Sequence, residues 1–196
     1  MQLTLIRHLP TPWNEKGILQ GKKDILINNL NKASTQEISA NKQFLKHKSP
    51  FSLVLVSTLK RTHQTAMAYD FDYFQIEPLL DELDFGKFEG KEKRCLIEEH
   101  GEKWLNTPRD LILGESLLHL EKRVIRFIEK YRNYDSLLVF GHGSWIRACV
   151  SYYRYGTINN MNQMVVKNNQ LLSVNVDNVD NVGNREEEVQ IGHDYL

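Results

Sequence analysis

The stretches Leu3-Thr4-Leu5-Ile6-Arg7-His8, Leu53-Val54-Leu55-Val56-Ser57 and Leu137-Leu138-Val139-Phe140-Gly141-His142 decide the fold class. Each opens on an apolar run too short for a helix, and continuous apolarity marks a strand covered on both faces, as in a parallel sheet. Helix-like stretches accompany them. Residues 60–69 follow the second run and residues 144–153 the third. Residues 116–131 set Leu117, Leu120, Val124, Phe127, Ile128 and Tyr131 at three- and four-residue spacing, one apolar stripe. This alternation predicts an α/β fold: a three-layer sandwich with a mostly parallel central sheet and helices on both faces.

Outward from these runs the signal weakens. Residues 82–113 are irregular, with one helix expected near 92–99. In the tail, 170–176 and 187–191 alternate like strands around the turn-rich 177–185, which reads as a hairpin or edge pair. The frequent asparagines between 159 and 184 read as turn formers. No repeat or long linker interrupts the chain, so residues 1–196 read as one domain.

Composition narrows the partners. The net charge is +0 with histidine neutral, so no global field favours nucleic acid or an anionic membrane. Cys95 and Cys149 are too few and too far apart for a disulfide framework or a metal site, and read as reduced thiols. Arg7 and His8 interrupt the N-terminal apolar stretch before it reaches signal-peptide length, and no run approaches the roughly 18 apolar residues of a membrane span. A cytoplasmic protein is expected.

Polar residues follow each run at once: Arg7-His8, Ser57 and His142-Gly143. Ligands of open α/β sheets gather at the carboxyl ends of strands, so two histidines and an arginine are expected to converge there. Arg61 falls in the first turn of a helix, where the dipole disfavours a cation; a neighbouring anion accounts for it. Guanidinium groups fork onto phosphate oxygens, which suits Arg7 and Arg61 to a phosphate clamp. The Gly143-Ser144 step into the next helix is expected to add backbone N–H donors.

These residues carry a resemblance. Arg7-His8-Leu-Pro-Thr11, with Trp13-Asn14 and Gln20-Gly21, resembles the N-terminal signature of the histidine phosphatase (phosphoglycerate mutase-like) superfamily. Residues 57–66 resemble the segment supplying its second arginine. Glu82-Leu-Asp-Phe-Gly-Lys-Phe-Glu-Gly90 resembles its acid-bearing motif, Gly114-Glu-Ser116 its mid-chain marker, and Phe140-Gly-His-Gly-Ser-Trp-Ile-Arg-Ala148 its second-histidine motif. The chain departs from the pattern at Leu9 and Ser144, where the family commonly has glycine, and residues 22–32 lack the usual Pro and Gly. Leu9 is expected to add bulk beside the phosphate pocket.

The resemblance implies hydrolysis of a small phosphate ester through a phosphohistidine at His8, without metal or cofactor. Arg7, Arg61 and His142 would supply the positive field, Asn14 and Gln20 would contact phosphate, and Glu82 would protonate the leaving group. By residue type alone, Asp81, Asp84 and Glu89 compete with Glu82. His47, His63, His100, His119 and His193 lack strand-end placement and read as surface or structural, and Trp13 reads as packing. The alternatives are a 2,3-bisphosphoglycerate-dependent phosphoglycerate mutase and a non-catalytic phosphate-binding module. A mutase shields its intermediate with a long insertion after the acid-bearing motif; here only 33 positions separate Glu82 from Glu115.

Overall fold

The computed structural model describes residues 1–176 and 189–191. Strands β1 (Gln2–Arg7), β2 (Leu53–Val56), β3 (Gln75–Ile76), β4 (Ser136–Gly141), β5 (Leu171–Asn175) and β6 (Val189–Ile191) form one sheet in the order β3-β2-β4-β1-β5-β6. The first four strands of that order are mutually parallel; β5 pairs antiparallel with β1 and with β6. The tail pair is thus present, while its turn, 177–185, lies outside the described residues.

Period-two alternation divides the apolar runs between two cores. Leu3, Leu5, Leu55, Leu137 and Val139 point into one cluster; Ile6, Val56, Leu138 and Phe140 point into the other. Helices α5 (Leu117–Tyr131) and α6 (Gly143–Tyr155) cover the first face. Helices α2 (Lys32–Lys48) and α3 (Lys60–Ala68) cover the second, and the single turn α1 (Pro12–Glu15) follows β1. The three layers are therefore helix, sheet, helix.

Helix α5 shows how the pattern becomes structure. Ser116 caps it by accepting the His119 N–H, and Leu117, Leu120, Val124, Phe127, Ile128 and Tyr131 are all buried. Each such side chain contributes roughly 1.5–3 kcal/mol on burial, so the six together outweigh the cap's ~1 kcal/mol many times over. Phe127→Ala, in edge contact with Trp145, is expected to cost about 3–5 kcal/mol. Helix α2, by contrast, has no counterpart in the sequence reading. Only Ile38 and Leu45 of its 17 residues are buried, so it carries no continuous apolar stripe. Helix α4 (Lys93–Asn106) runs beyond the expected 92–99, across a break at Gly101 (φ 40°), a conformation that favours glycine.

Strand register positions the chemistry. Ile6, Phe140 and Val56 are aligned across β1, β4 and β2, as are Arg7 and Gly141. His8 and His142 consequently leave the sheet at one level, and Ser57 lies one residue short of it, level with Arg7 and Gly141.

Candidate active site

His8 and His142 meet with ring centroids 5.4 Å apart. The backbone of His8 is fixed from both sides: its N–H donates to the Gly141 carbonyl, and its own carbonyl accepts from Asn168 Nδ2 at 2.9 Å. Nδ1 lies 2.7 Å from the Leu9 carbonyl. A carbonyl can only accept, so Nδ1 carries the proton and Nε2 keeps a free lone pair. Burial first, and then the charges of Arg61 and Arg7, hold the His8 pKa well below the usual histidine range. The neutral, nucleophilic form is thereby favoured at pH 7.

His142 belongs to a chain of hydrogen bonds that run in one direction. Arg61 Nε donates to His142 Nδ1 at 3.2 Å, which leaves the ring proton on Nε2 to meet Ser57 Oγ at 2.7 Å. Ser57 Oγ also accepts the Leu59 N–H and lies 3.1 Å from Thr62 Oγ1, whose own proton goes to the Leu59 carbonyl. Every group has one partner for its proton. Burial and the Arg61 charge push the His142 pKa well below the usual range. Against the expectation of a third contributor to the positive field, this arrangement favours the neutral ring, with Nδ1 against Arg61.

A cavity of about 260 Å³ opens at the strand ends, lined by Arg7, His8, Arg61 and Glu82 among others. Arg61 is only 1% exposed, and Nη1 and Nη2 donate to the Lys23 and Gly21 carbonyls at 2.7 Å each. Among the described residues Arg7 has a single side-chain hydrogen bond, Nη1 to the Val166 carbonyl at 2.7 Å, and its buried Nε has no partner. Desolvation, only partly countered by Glu82, lowers the Arg7 pKa to about 10. Gly143 packs closely beneath it: a Cβ there would lie 3.2 Å from Arg7 Nε, tight enough to shift the guanidinium by a few tenths of an ångström.

Glu82 is the one carboxylate lining this cavity among the described residues. Its oxygens accept the N–H groups of Leu83, Ser144 and Trp145. The amide of Ser144, expected to serve phosphate, is therefore engaged by Glu82. The competing acids are committed elsewhere: Asp81 to Thr58, Asp84 to the Gly86 N–H and Glu89 to the Lys22 N–H.

Asn14 and Gln20 line the cavity as expected. Asn14 Oδ1 accepts from Thr11 and Asn168, and the buried Gln20 Oε1 has no partner among the described residues. Leu9 corrects its expectation: the side chain turns into the core beneath α2 and α3 and does not line the cavity. His63 donates to the Ser57 carbonyl and His119 lies against Glu115; His193 lies outside the described residues. Trp13 does not line the cavity and faces Gly90.

Sequence reasoning missed Asn168, Lys93 and Arg147. Asn168 falls in the asparagine-rich stretch that reads as turns, yet it ties His8 to Asn14. Arg147 had a usable signal: it stands one helical turn after Gly143, on the face that Gly143 presents to the cavity. Its pKa is lowered by burial, with Glu82 the opposing charge.

Residues 3–186 match the family model of the histidine phosphatase superfamily (branch 1). The adenosylcobalamin/α-ribazole phosphatase of Escherichia coli is 33% identical over 153 residues, covering 72% of this chain and 73% of its own. A 2,3-bisphosphoglycerate-dependent phosphoglycerate mutase of Buchnera aphidicola is 27% identical, covering 77% and 83%. The crystal structure of the α-ribazole phosphatase of Shigella flexneri superposes with a TM-score of 0.70 at 25% identity, covering 90% of this chain and 91% of that one.

Proposed function

Because the chain belongs to the histidine phosphatase superfamily (branch 1), we propose that it is a phosphomonoester hydrolase working through a phosphohistidine at His8. The single observation that carries this reading is the free Nε2 of a buried, neutral His8 beside two arginines in one cavity.

The steps follow from the groups present. His8 Nε2 attacks phosphorus, the ester P–O bond breaks, and the leaving alkoxide takes a proton from Glu82. Arg7 and Arg61 stabilise the charge spread over the equatorial oxygens. Glu82, now a carboxylate, then takes a proton from water. The hydroxide attacks phosphorus, the P–N bond breaks, and inorganic phosphate leaves with His8 restored. His142 acts as a positioning residue through Arg61, and Asn14, Gln20 and Gly143 line the phosphate end. The arginines supply the transition-state charge in this scheme, so no metal or other cofactor is assigned to it.

Hydrolysis is favoured over mutation by the short segment after Glu82. It holds a turn of 3₁₀ helix at Gly86–Phe88, helix α4 and a second such turn at Pro108–Asp110, leaving one helix to cover the cavity. Water excluded by so little protein reaches the intermediate. The setting proposed is cytoplasmic, one domain acting on a small soluble ester rather than on nucleic acid or a membrane; among the described residues no helix is long and apolar enough to cross a bilayer.

Rapid quench with a ³²P-labelled monoester tests the reading. Wild type should show an acid-labile phosphoenzyme and turnover that survives exhaustive chelation. His8→Ala should show neither, with its fold retained. Normal turnover by His8→Ala would sink the assignment.

A further inference from the structure

Ser116 of the mid-chain marker caps α5, but the catalytic scheme leaves Gly114 and Glu115 without a role. Both are packed against the segment that carries Glu82. The Gly114 and Glu115 N–H groups donate to the Asp84 carbonyl at 3.0 and 3.2 Å, and the Asp84 N–H donates back to Glu115 Oε1 at 3.3 Å. Gly114 leaves no room for a Cβ, which would fall 1.7 Å from Asp84 Oδ1 and 2.6 Å from the Gly86 nitrogen.

Arg123 of α5 completes the arrangement. Its Nη2 donates to Glu115 Oε1 at 2.6 Å, and its Nη1 donates to the carbonyls of Leu79 and Asp81 at 2.9 and 2.8 Å. The backbone is thus held on both sides of Glu82, by Arg123 before it and by Glu115 after it. Both side chains are largely buried, and neither lines the cavity. Burial pushes the Glu115 carboxyl up, but the Arg123 guanidinium outweighs it and holds the carboxyl below the usual range. Burying such a charged pair offers little net stability. What it supplies is placement, because one guanidinium fork reaches two carbonyls and a carboxylate at once.

We propose that Glu115 and Arg123 are positioning residues for Glu82: acting through the backbone that flanks it, they set its carboxyl within reach of the leaving oxygen. The inference rests on the hydrolase reading for what that carboxyl does. The N–H groups of Ser144 and Trp145 hold the carboxyl itself, and the Glu115–Arg123 clamp holds the chain it hangs from. Among the described residues no hydrogen bond of Glu115 or Arg123 runs to Arg7, His8 or Arg61. Loosening the clamp therefore misplaces the proton donor and leaves the nucleophile and the two arginines where they are. A proton donor works only within hydrogen-bond reach, so a small displacement suffices to weaken it.

Leaving groups test this, because an alkoxide needs the proton and a nitrophenolate hardly does. Arg123→Met should lose on the order of tenfold in kcat/KM on an alkyl phosphate and less than about threefold on p-nitrophenyl phosphate. In a Glu82→Gln background the same change should cost the alkyl phosphate less than about threefold, since the donor it would misplace is already gone. Arg123→Lys keeps the charge beside Glu115 and should fold even where the methionine variant does not, with a smaller loss of the same selectivity. Equal losses on the two esters, or none, in every Arg123 variant that folds would overturn the proposal, as would a loss that multiplies fully with that of Glu82→Gln. Crystal structures read the clamp without turnover: against wild type, the variant should show the Glu82 carboxyl moved by about 1 Å or more, with Arg7, His8 and Arg61 in place. An unmoved Glu82 would also overturn it. Absent phosphate release by wild type from any ester, with that displacement present, would instead remove the hydrolase reading and leave the clamp standing.

Discussion

Arg61 and Arg7 bring the same guanidinium group into the same cavity from α3 and from the end of β1, and the protein treats them differently. Arg61 is held by His142 and two carbonyls, with further carboxylates behind it. Among the described residues Arg7 has one side-chain hydrogen bond and an unpartnered Nε, and the charges of Arg147 and Lys93 stand near it. One part of the site is finished before substrate arrives; the other is completed by substrate. Preorganised donors act on the transition state without reorganisation, while unsatisfied cations reward a ligand that brings the missing charge.

The largest effect expected separates the two arginines. Arg61→Lys loses a fork that an ammonium cannot reproduce, and kcat/KM on p-nitrophenyl phosphate should fall on the order of 10³-fold with a lower Tm. Arg7→Lys should cost roughly tenfold and leave Tm nearly unchanged, because little is wired to it. Equal losses of activity and stability in the pair would break the comparison.

Glu82→Gln sharpens it on the less finished side. The amide keeps an acceptor for the α6 N–H groups but cannot donate an acidic proton. An alkyl phosphate should lose on the order of 10²-fold, and p-nitrophenyl phosphate, whose leaving group needs no proton, only a few-fold. An equal loss on both, at the phosphorylation step, would move the acid role elsewhere.

The smallest effect is on stability. His8 and His142 have folded pKa values below their unfolded values, so the unfolded chain takes up two protons that the folded chain refuses once pH falls through about 6.5. Stability should be flat above that pH and decline below it, by up to ~1.4 kcal/mol per pH unit for each histidine. Urea titrations of wild type and His8→Gln from pH 7 to pH 5 check this. The variant should show about half the slope; an unchanged slope would mean that His8 is not held neutral.

What the sequence made legible were features with a short-range signature. The apolar runs named β1, β2 and β4, the stripe of α5 named its buried face, and strand-end placement named His8 and His142. Helix α2 escaped because its contact with the sheet rests on Ile38 and Leu45. Leu9 was misplaced because nothing local says which way the chain turns after β1; the hydrogen bond from its N–H to Thr65 Oγ1 helps decide that, across 56 positions. His142 reads as part of the positive field because its type permits a charge. Its neutrality depends on Arg61 and Ser57, which only the folded chain brings to its ring.

Strand β1 is bonded along its length to β4 on one side and β5 on the other, and it lies inside the sheet. Its amides should therefore be among the last in the chain to exchange with deuterium, opening only when the whole sheet comes apart. His8, the proposed nucleophile, hangs from the end of that strand, with its own N–H on the Gly141 carbonyl. Fraying of the short edge strand β3, or breathing of α4 about Gly101, leaves His8 where it is. On the proposed mechanism, catalytic competence is thus tied to the global cooperative unit of the fold rather than to any local one.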